Sequence, residues 1–174
     1  MRPSPLQLEG YLVTELSFKA QPNFEYDLEN PLTTVQPADL TVEVALAEHQ
    51  DDRLRRNCDL TVGLTDPTGI KFPYVFRTVF TGFFRISENY PAEQVDLMFA
   101  TNAPALLYSA ARELLATVTG RGPYPSVTLP SVTFLPSLTE VAEQKQSAIN
   151  DARPARKKTA AKSKTKPARK TSKN

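Results

Sequence analysis

Residues able to carry chemistry are few, and their neighbours do not equip them for it. The one histidine, His49, lies between Glu48 and Gln50 in a charged stretch, with no glycine-framed serine and no reactive-looking cysteine nearby. A serine or cysteine nucleophile requires a positioned base, so that class of enzyme is disfavoured and His49 reads as a solvated loop residue. The one cysteine, Cys58, has no partner for an internal disulfide and falls within an apolar alternation, where a thiol behaves as a small hydrophobe. One Cys and one His exclude the usual zinc ligand sets within a single subunit. Asp51 and Asp52 are potential hard-cation donors, but Arg53, Arg55 and Arg56 stand beside them, which favours a mutually screened, solvated loop. The glycines at 10, 63, 69, 82, 120 and 122 never form a Gly-rich, phosphate-cradling loop between a strand and a helix. No catalytic residue, metal or cofactor is expected, and the chain reads as a binding protein and not an enzyme.

The elements around these residues read first as strands. In LQLEGYLVTELSFKA, residues 6–20, apolar residues pair at spacing two as Leu6 and Leu8, Tyr11 and Val13, Leu16 and Phe18, but the phase slips from pair to pair. Spacing of two is strand periodicity, and a slip calls for an extra residue, for which Gly10 is a natural site. One bent strand is expected. After a polar, aromatic-spotted stretch, Leu40, Val42, Val44 and Leu46 alternate with Thr41, Glu43 and Ala45, a second strand with one wet face. Cys58, Leu60, Val62 and Leu64 mark a third. The turn Asp66-Pro67-Thr68-Gly69 then leads into a long aromatic strand, with Phe72, Tyr74, Phe76, Phe80, Phe84 and Ile86 on one face and Arg77 and Arg85 on the other.

Beyond Asn89-Tyr90-Pro91 the period changes. Val95, Leu97, Met98 and Phe99 predict a short helix ending before Asn102-Ala103-Pro104, and Pro104 suits the first turn of a second helix running to the stop signals Gly120 and Gly122. Its apolar stripe, Leu107, Ala111, Leu114 and Val118 widened by Leu106, Ala110 and Leu115, exceeds what one sheet face covers, so its other side is expected against another subunit. Prolines at 123, 125 and 130 deny residues 123–135 a regular ladder, so this stretch is expected to run extended over the surface carrying Tyr124, Val127, Leu129, Val132 and Phe134. Leu138, Val141 and Ile149 predict an amphipathic helix over 136–149.

The net charge of +2 hides a segregation. Residues 1–149 hold 11 Lys+Arg against 18 Asp+Glu, or 11 − 18 = −7, and residues 150–174 hold 10 against one, or 10 − 1 = +9. The basic segment has no aromatic and no branched aliphatic residue. Such a composition does not offset an ordering cost of about 1–2 kcal/mol per residue, so a disordered Lys/Arg-rich tail over 150–174 is expected behind a folded domain of 1–149. No apolar run approaches the twenty residues of a membrane span, and residues 1–10 lack a secretory h-region, which predicts a cytoplasmic protein. What the body has in surplus is apolar surface. At about 25 cal/mol per Å², a few hundred Å² left open is a substantial binding capacity, while the alternative is that all of it is core.

LLYSAARELLATVTGRGPYPSVTLPSVTFL, residues 106–135, resembles the signature of the SecB family of protein-export chaperones, in which a helix bearing Tyr-Ala-Arg-Glu leads to an Arg-Gly turn and a Pro-rich segment ending near Val-Asn-Phe. Ala110-Ala111-Arg112-Glu113, Arg121-Gly122, Pro125, Pro130 and Val132-Thr133-Phe134 stand in register with it, and Leu16-Ser17-Phe18-Lys19-Ala20, Gln36-Pro37 and Gly82-Phe83-Phe84 extend the match over 6–138. The resemblance implies an α+β fold, a four-stranded antiparallel sheet with helices packed on one face, assembled as a homotetramer, a dimer of dimers. It implies a holdase that keeps unfolded or precursor polypeptides competent for export without catalysis. Leu40, Val42, Val44, Tyr124, Val127, Leu129, Phe134 and Leu138 are the expected client contacts, ordinary core being the alternative for each strand residue. The positions matching the family's acidic docking site for the SecA motor are Glu15, Lys19 and Arg77, of which only Glu15 is acidic. Two positive charges there oppose a basic partner. Other readings are a chaperone dedicated to one partner, such as an antitoxin, and a nucleic-acid-associated adaptor acting through the basic tail. For the tail itself the readings are nucleic acid or an anionic membrane, pairing with the acidic body, and mere solubilisation.

Overall fold

A computed structural model of the chain describes residues 3–22, 24, 25, 27, 29, 34–65 and 72–135. The turn expected at 66–69, the helix expected at 136–149 with Leu138, and the segment 150–174 lie outside the described residues. Strands β1 (Leu6–Ala20), β2 (Leu40–Glu48), β3 (Arg55–Leu64) and β4 (Tyr74–Ile86) form one antiparallel sheet in the order β1-β4-β3-β2. The two phase slips read in β1 are register shifts against β4, one between Leu8 and Gly10 and one between Val13 and Glu15. Each inserts one residue, so Leu6, Leu8, Tyr11, Val13, Leu16 and Phe18 stay on one side of the sheet although their numbers change parity twice.

That side carries the core. Leu60 and Val62 from β3 and Tyr74, Phe76, Phe80, Phe84 and Ile86 from β4 are buried there, under a helix that packs on β1, β3 and β4. Gly82, opposite Leu107, is the point of closest approach: a Cβ there would stand 2.7 Å from a Phe84 ring carbon and 2.8 Å from a Leu107 methyl. Any side chain would push the helix away or displace the ring.

Between Pro91 and Gly120 the sequence predicts two helices, but the structure has one continuous helix there, α1 (Ala92–Thr119), with Pro104 inside it. The break expected at Asn102-Ala103-Pro104 does not occur because the buried residues run through it at a spacing of four: Phe99, Ala103, Leu107, Ala111, Leu115 and Thr119. An internal proline forfeits one backbone bond and costs about 3 kcal/mol. Here Pro104 is itself buried in the stripe, and the Asn102 side chain donates to the Met98 carbonyl at 2.8 Å, so packing outweighs the break. Leu97 and Leu106, 55% and 43% exposed, remain outside the core.

Residues 123–135 form no strand beyond one parallel bridge between Thr128 and Thr34. Their path is pinned by side chains. The Tyr74 hydroxyl donates to the Tyr124 carbonyl (2.8 Å) and accepts from the Tyr124 N–H (3.0 Å), and Thr119 Oγ1 accepts from the Val127 N–H (2.9 Å). The Tyr124 hydroxyl donates to the Gln21 carbonyl and the Tyr108 hydroxyl to the Pro130 carbonyl, both at 2.8 Å. Burial pushes the Tyr108 phenol up from its ordinary range, against the opposing pull of Arg112.

Candidate polypeptide-binding surface

The edge strands of the sheet are β1 and β2, neither paired on its outer side among the described residues, and the hydrogen-bond parity tells which backbone groups each offers. On β2, the His49 N–H donates to the Arg55 carbonyl and the Thr65 N–H to the Asp39 carbonyl. With Leu40 opposite Leu64 and Glu48 opposite Arg56, the odd residues of β2 bond β3 and the even ones turn their N–H and C=O groups off the sheet. The Ile86 N–H donates to the Leu54 carbonyl, which confirms the same alternation one strand further in. The outward residues of β2 are therefore Leu40, Val42, Val44, Leu46 and Glu48. Leu40 spends its N–H on Pro37, closing the short 3-10 turn Pro37–Asp39.

These same residues place apolar side chains on the helix side of the sheet, in register with Leu64, Val62, Leu60 and Cys58. Leu40 and Val42 are half-buried and pack on the core, while Val44 and Leu46, beyond it, are 40% and 44% exposed. The expectation of one wet face on β2 is not met: Leu40, Thr41 and Val42 are all half-buried, and the strand is exposed on both faces from Glu43 onward.

The remaining client-contact candidates separate into two groups. Tyr124 and Phe134 are half-buried on the rim of the same core, Tyr124 edge-on to Phe24 and Tyr74 (5.6 Å each) and Phe134 edge-on to Tyr108 (5.9 Å). Val127 and Leu129 are core residues, 0% and 2% exposed, so the Pro-rich stretch does not carry all its apolar side chains outward. The hydrogen bonds of Tyr124, Val127 and Pro130 turn this stretch inward, and the Val127 and Leu129 side chains have no surface to offer in this conformation. Leu138 lies outside the described residues. Sequence reasoning passed over Leu46, Val132 (37% exposed) and Leu135 (65% exposed). Leu46 continues the alternation of Leu40, Val42 and Val44 and was readable from it.

At its far end β2 meets a cleft of about 320 Å³ lined by Glu48, Leu54, Arg56, Tyr90, Val95 and Asp96 among others. Arg56 builds it: the guanidinium donates to Asp96 at 2.7 Å and to Glu48 at 2.8 Å, and lies 5.5 Å from the Phe99 ring centre. It ties β2, β3 and α1 together. The other edge, β1, follows the same rule. The Ser87 N–H donates to the Pro5 carbonyl and the Gln21 N–H to the Pro73 carbonyl. With the two register shifts, the outward residues include Leu8, Tyr11, Val13 and Leu16, which are 37–51% exposed.

Glu15, Lys19 and Arg77 lie on the face of the sheet opposite α1, all exposed. Arg77 Nε lies 3.3 Å from both carboxylate oxygens of Glu15, so the one acid of the three is held by the neighbouring cation. Lys19, opposite Val75, stands two residues along each strand from the Ser17–Arg77 pair. Further along the same face, Glu9 and Asp52 each lie 3.7–3.8 Å from both Arg55 and Arg85. Cys58 is fully buried, and burial, with a smaller contribution from Asp59, pushes its thiol up to about 12. Among the described residues no group of three or more His, Cys, Asp or Glu is arranged to hold a metal ion, and no helix is long and apolar enough to cross a membrane.

The family profile described as Preprotein translocase subunit SecB matches residues 2–145. The chain belongs to the SecB family. Among curated relatives, the Protein-export protein SecB of Acidithiobacillus ferrooxidans is 28% identical over 144 residues, covering 80% of this chain and 91% of the relative. That of Hyphomonas neptunium is 26% identical over 133 residues, covering 76% of each. Among solved structures, a Mycobacterium tuberculosis SecB-like chaperone in complex with a peptide from the HigA1 antitoxin aligns with a TM-score of 0.48 at 16% identity, covering 74% of this chain and 88% of that one. The family is one of chaperones, and the four-stranded antiparallel sheet with its long helix is the architecture its signature implied.

Proposed function

We propose that this SecB-family chain is a cytoplasmic holdase that receives unfolded polypeptides, preproteins awaiting export among them, as an added strand on the β2 edge. The observation that carries the reading is the coincidence on β2 of outward backbone groups with open apolar side chains. Val42, Val44 and Leu46 each turn an N–H and a C=O off the sheet while their side chains lie on the helix side, half-buried in the first and exposed in the other two. An extended client would find main-chain partners that are indifferent to its sequence and apolar neighbours that favour alternating hydrophobic residues, the combination that strand addition needs. Tyr124, Phe134 and, by resemblance, Leu138 extend the apolar surface. Val127 and Leu129 support it from within the core.

The β1 edge favours a second copy of the chain. An exposed fifteen-residue edge bearing Leu8, Tyr11, Val13 and Leu16 on one face and Leu12, 57% exposed, on the other is a strand-pairing hazard unless it is covered. Isologous β1–β1 pairing covers it and leaves β2 free for clients. Exposed Leu106 on α1 is apolar surface for the second contact of a dimer of dimers. Repeated weak strand contacts along one client then reinforce one another through effective concentration.

The test is suppression of aggregation. A denatured preprotein diluted into buffer with a molar excess of the assembled protein is expected to stay in solution and to remain protease-sensitive. Aggregation at the rate seen without the protein refutes the proposal.

A further inference from the structure

We infer that Glu43 and Asp59 make the β2 edge selective for client segments that carry Lys or Arg at two alternate positions on the face turned away from α1. The inference rests on strand addition at β2 and concerns the side chains that this pairing leaves on the client's other face. In a strand paired along β2, residues facing Leu40, Val42, Val44 and Leu46 point to the helix side, and those facing Thr41, Glu43, Ala45 and Ala47 point to the opposite side. One strand further in, these last four stand opposite Gly63, Thr61, Asp59 and Asn57 of β3.

The charge along this edge has one sign. Residues 34–52 include Asp39, Glu43, Glu48, Asp51 and Asp52 and no Lys or Arg. Glu48 points to the helix side and is engaged by Arg56, and Asp52 lies near Arg55 and Arg85. Glu43 is exposed, and none of the described Lys and Arg residues pairs with it. Asp59 is exposed and accepts from Thr81 Oγ1 at 2.7 Å through one of its two oxygens. The cations on this face stand elsewhere. Arg77, opposite Gly63, is held by Glu15, Arg55 and Arg85 lie with Glu9 and Asp52 at one end, and Lys19 is on β1.

Side chains facing each other across an antiparallel pair stand about 4.5–5.5 Å apart, so a client residue opposite Glu43 meets its carboxylate directly. A client residue opposite Ala45 is two strand spacings, about 9–10 Å, from Asp59. Only the Ala45 methyl lies between them, and the long stem of Lys or Arg together with the Asp59 side chain covers that distance. The two positions are two residues apart in the client. The edge therefore fits the pattern apolar-basic-apolar-basic-apolar on both faces at once, and an acid at either basic position meets like charge.

The experiment measures fluorescence anisotropy of labelled nine-residue peptides, the length of β2, titrated with the assembled full chain. The peptides alternate Val and Ser, and the two inner Ser positions carry Lys, Gln or Glu. Two opposite-charge pairs should make the Lys peptide bind about 2- to 30-fold tighter than the Gln peptide at low salt, with the Glu peptide weaker by a similar factor. Raising the salt should shrink the preference. In the variant Glu43→Lys with Asp59→Asn the order is expected to reverse, and an unchanged order overturns the inference. A second pair of peptides places the two Lys, or the two Gln, three residues apart by exchange with a neighbouring Val. One Lys then faces the helix side, and the preference for Lys over Gln should fall. An equal preference at both spacings marks general attraction to an acidic body and overturns the inference. The Gln peptide tests the underlying reading separately. If it binds Val44→Pro with Leu46→Pro as tightly as Val44→Ala with Leu46→Ala, or if no peptide binds, strand addition has failed and the inference falls with it.

Discussion

Replacing both Val44 and Leu46 with proline separates strand addition from simple apolar adhesion. Both residues sit on an edge strand with their N–H groups turned away from β3, so proline removes two outward donors and no bond of the β2–β3 ladder. Proline's preference for extended backbone before it is already met within the strand. The matched control is Val44→Ala with Leu46→Ala, which removes comparable apolar area but keeps both donors. A hydrogen bond of this kind contributes about 0.5–1.5 kcal/mol net, so losing two weakens client binding by about 1–3 kcal/mol, roughly 5- to 150-fold, beyond the alanine control. The assay is fluorescence anisotropy of a labelled, permanently unfolded client, with urea unfolding of each variant alongside. Ala45→Pro supplies the converse, because Ala45 bonds β3 and its loss strikes the fold, lowering the unfolding midpoint. Binding by the proline pair within two-fold of the alanine pair would refute backbone pairing on β2 and leave only side-chain contact.

Gly82→Ala is expected to destabilise the fold by about 1–3 kcal/mol in urea unfolding, the usual cost of overpacking, because its new methyl meets Phe84 and both Leu107 methyls, all buried; an unchanged midpoint counts against the tight contact between α1 and β4. Tyr74→Phe removes the hydroxyl that anchors Tyr124 and leaves that backbone N–H without its acceptor, which costs about 1–3 kcal/mol and should raise proteolysis within 123–135 in native buffer. Cys58 has a folded-state thiol pKa of about 12, raised from 9.0, so its contribution to stability is complete below about pH 9 and declines as pH rises toward 12; native protein at pH 8 should resist a thiol reagent that labels it at once in denaturant. Lys19→Glu with Arg77→Glu makes all three resembling positions acidic and frees Glu15 from its ion pair, so binding to a SecA-type motor should strengthen by about ten-fold and more at low salt, and no change would mean that this face takes no part in docking.

The strands were legible because each is long enough to declare its period, and β4 announced its buried face through Tyr74, Phe76, Phe80, Phe84 and Ile86 alone. Pro104 misled, because helix signals are local while the decision was tertiary. The spacing of four from Phe99 to Thr119 was present in the sequence, yet only the sheet beneath makes it worth more than the forfeited bond. Residues 123–135 were the least legible. Between prolines there is no period to assign a face, so Val127 and Leu129 could not be told from Tyr124 and Phe134 until the hydroxyls of Tyr74 and Thr119 fixed the path. On β2, the alternation told which residues share the helix-side face, but how far the core covers them was not in the strand's own sequence.

The bulges of β1 explain how an edge strand keeps one face throughout while its numbering shifts. In a pleated strand, side-chain direction and backbone hydrogen-bond direction both alternate with period two, so the outward-bonding residues of an edge always share a face, and register alone decides which. At both edges of this sheet that face is the apolar, helix-facing one. On β1, insertions near Gly10 and Thr14 change the outward residues from Leu6 and Leu8 to Tyr11 and Val13 and then to Leu16 and Phe18. Without the insertions, Tyr11 and Val13 would turn to the opposite face and their backbone groups would turn back toward β4. A strand added at either edge by hydrogen-bonded pairing must therefore set its own side chains against apolar ones. Under the proposed strand addition, a preference for alternating hydrophobic segments is thus a consequence of register, and it applies to any strand added on β1 or on β2 alike.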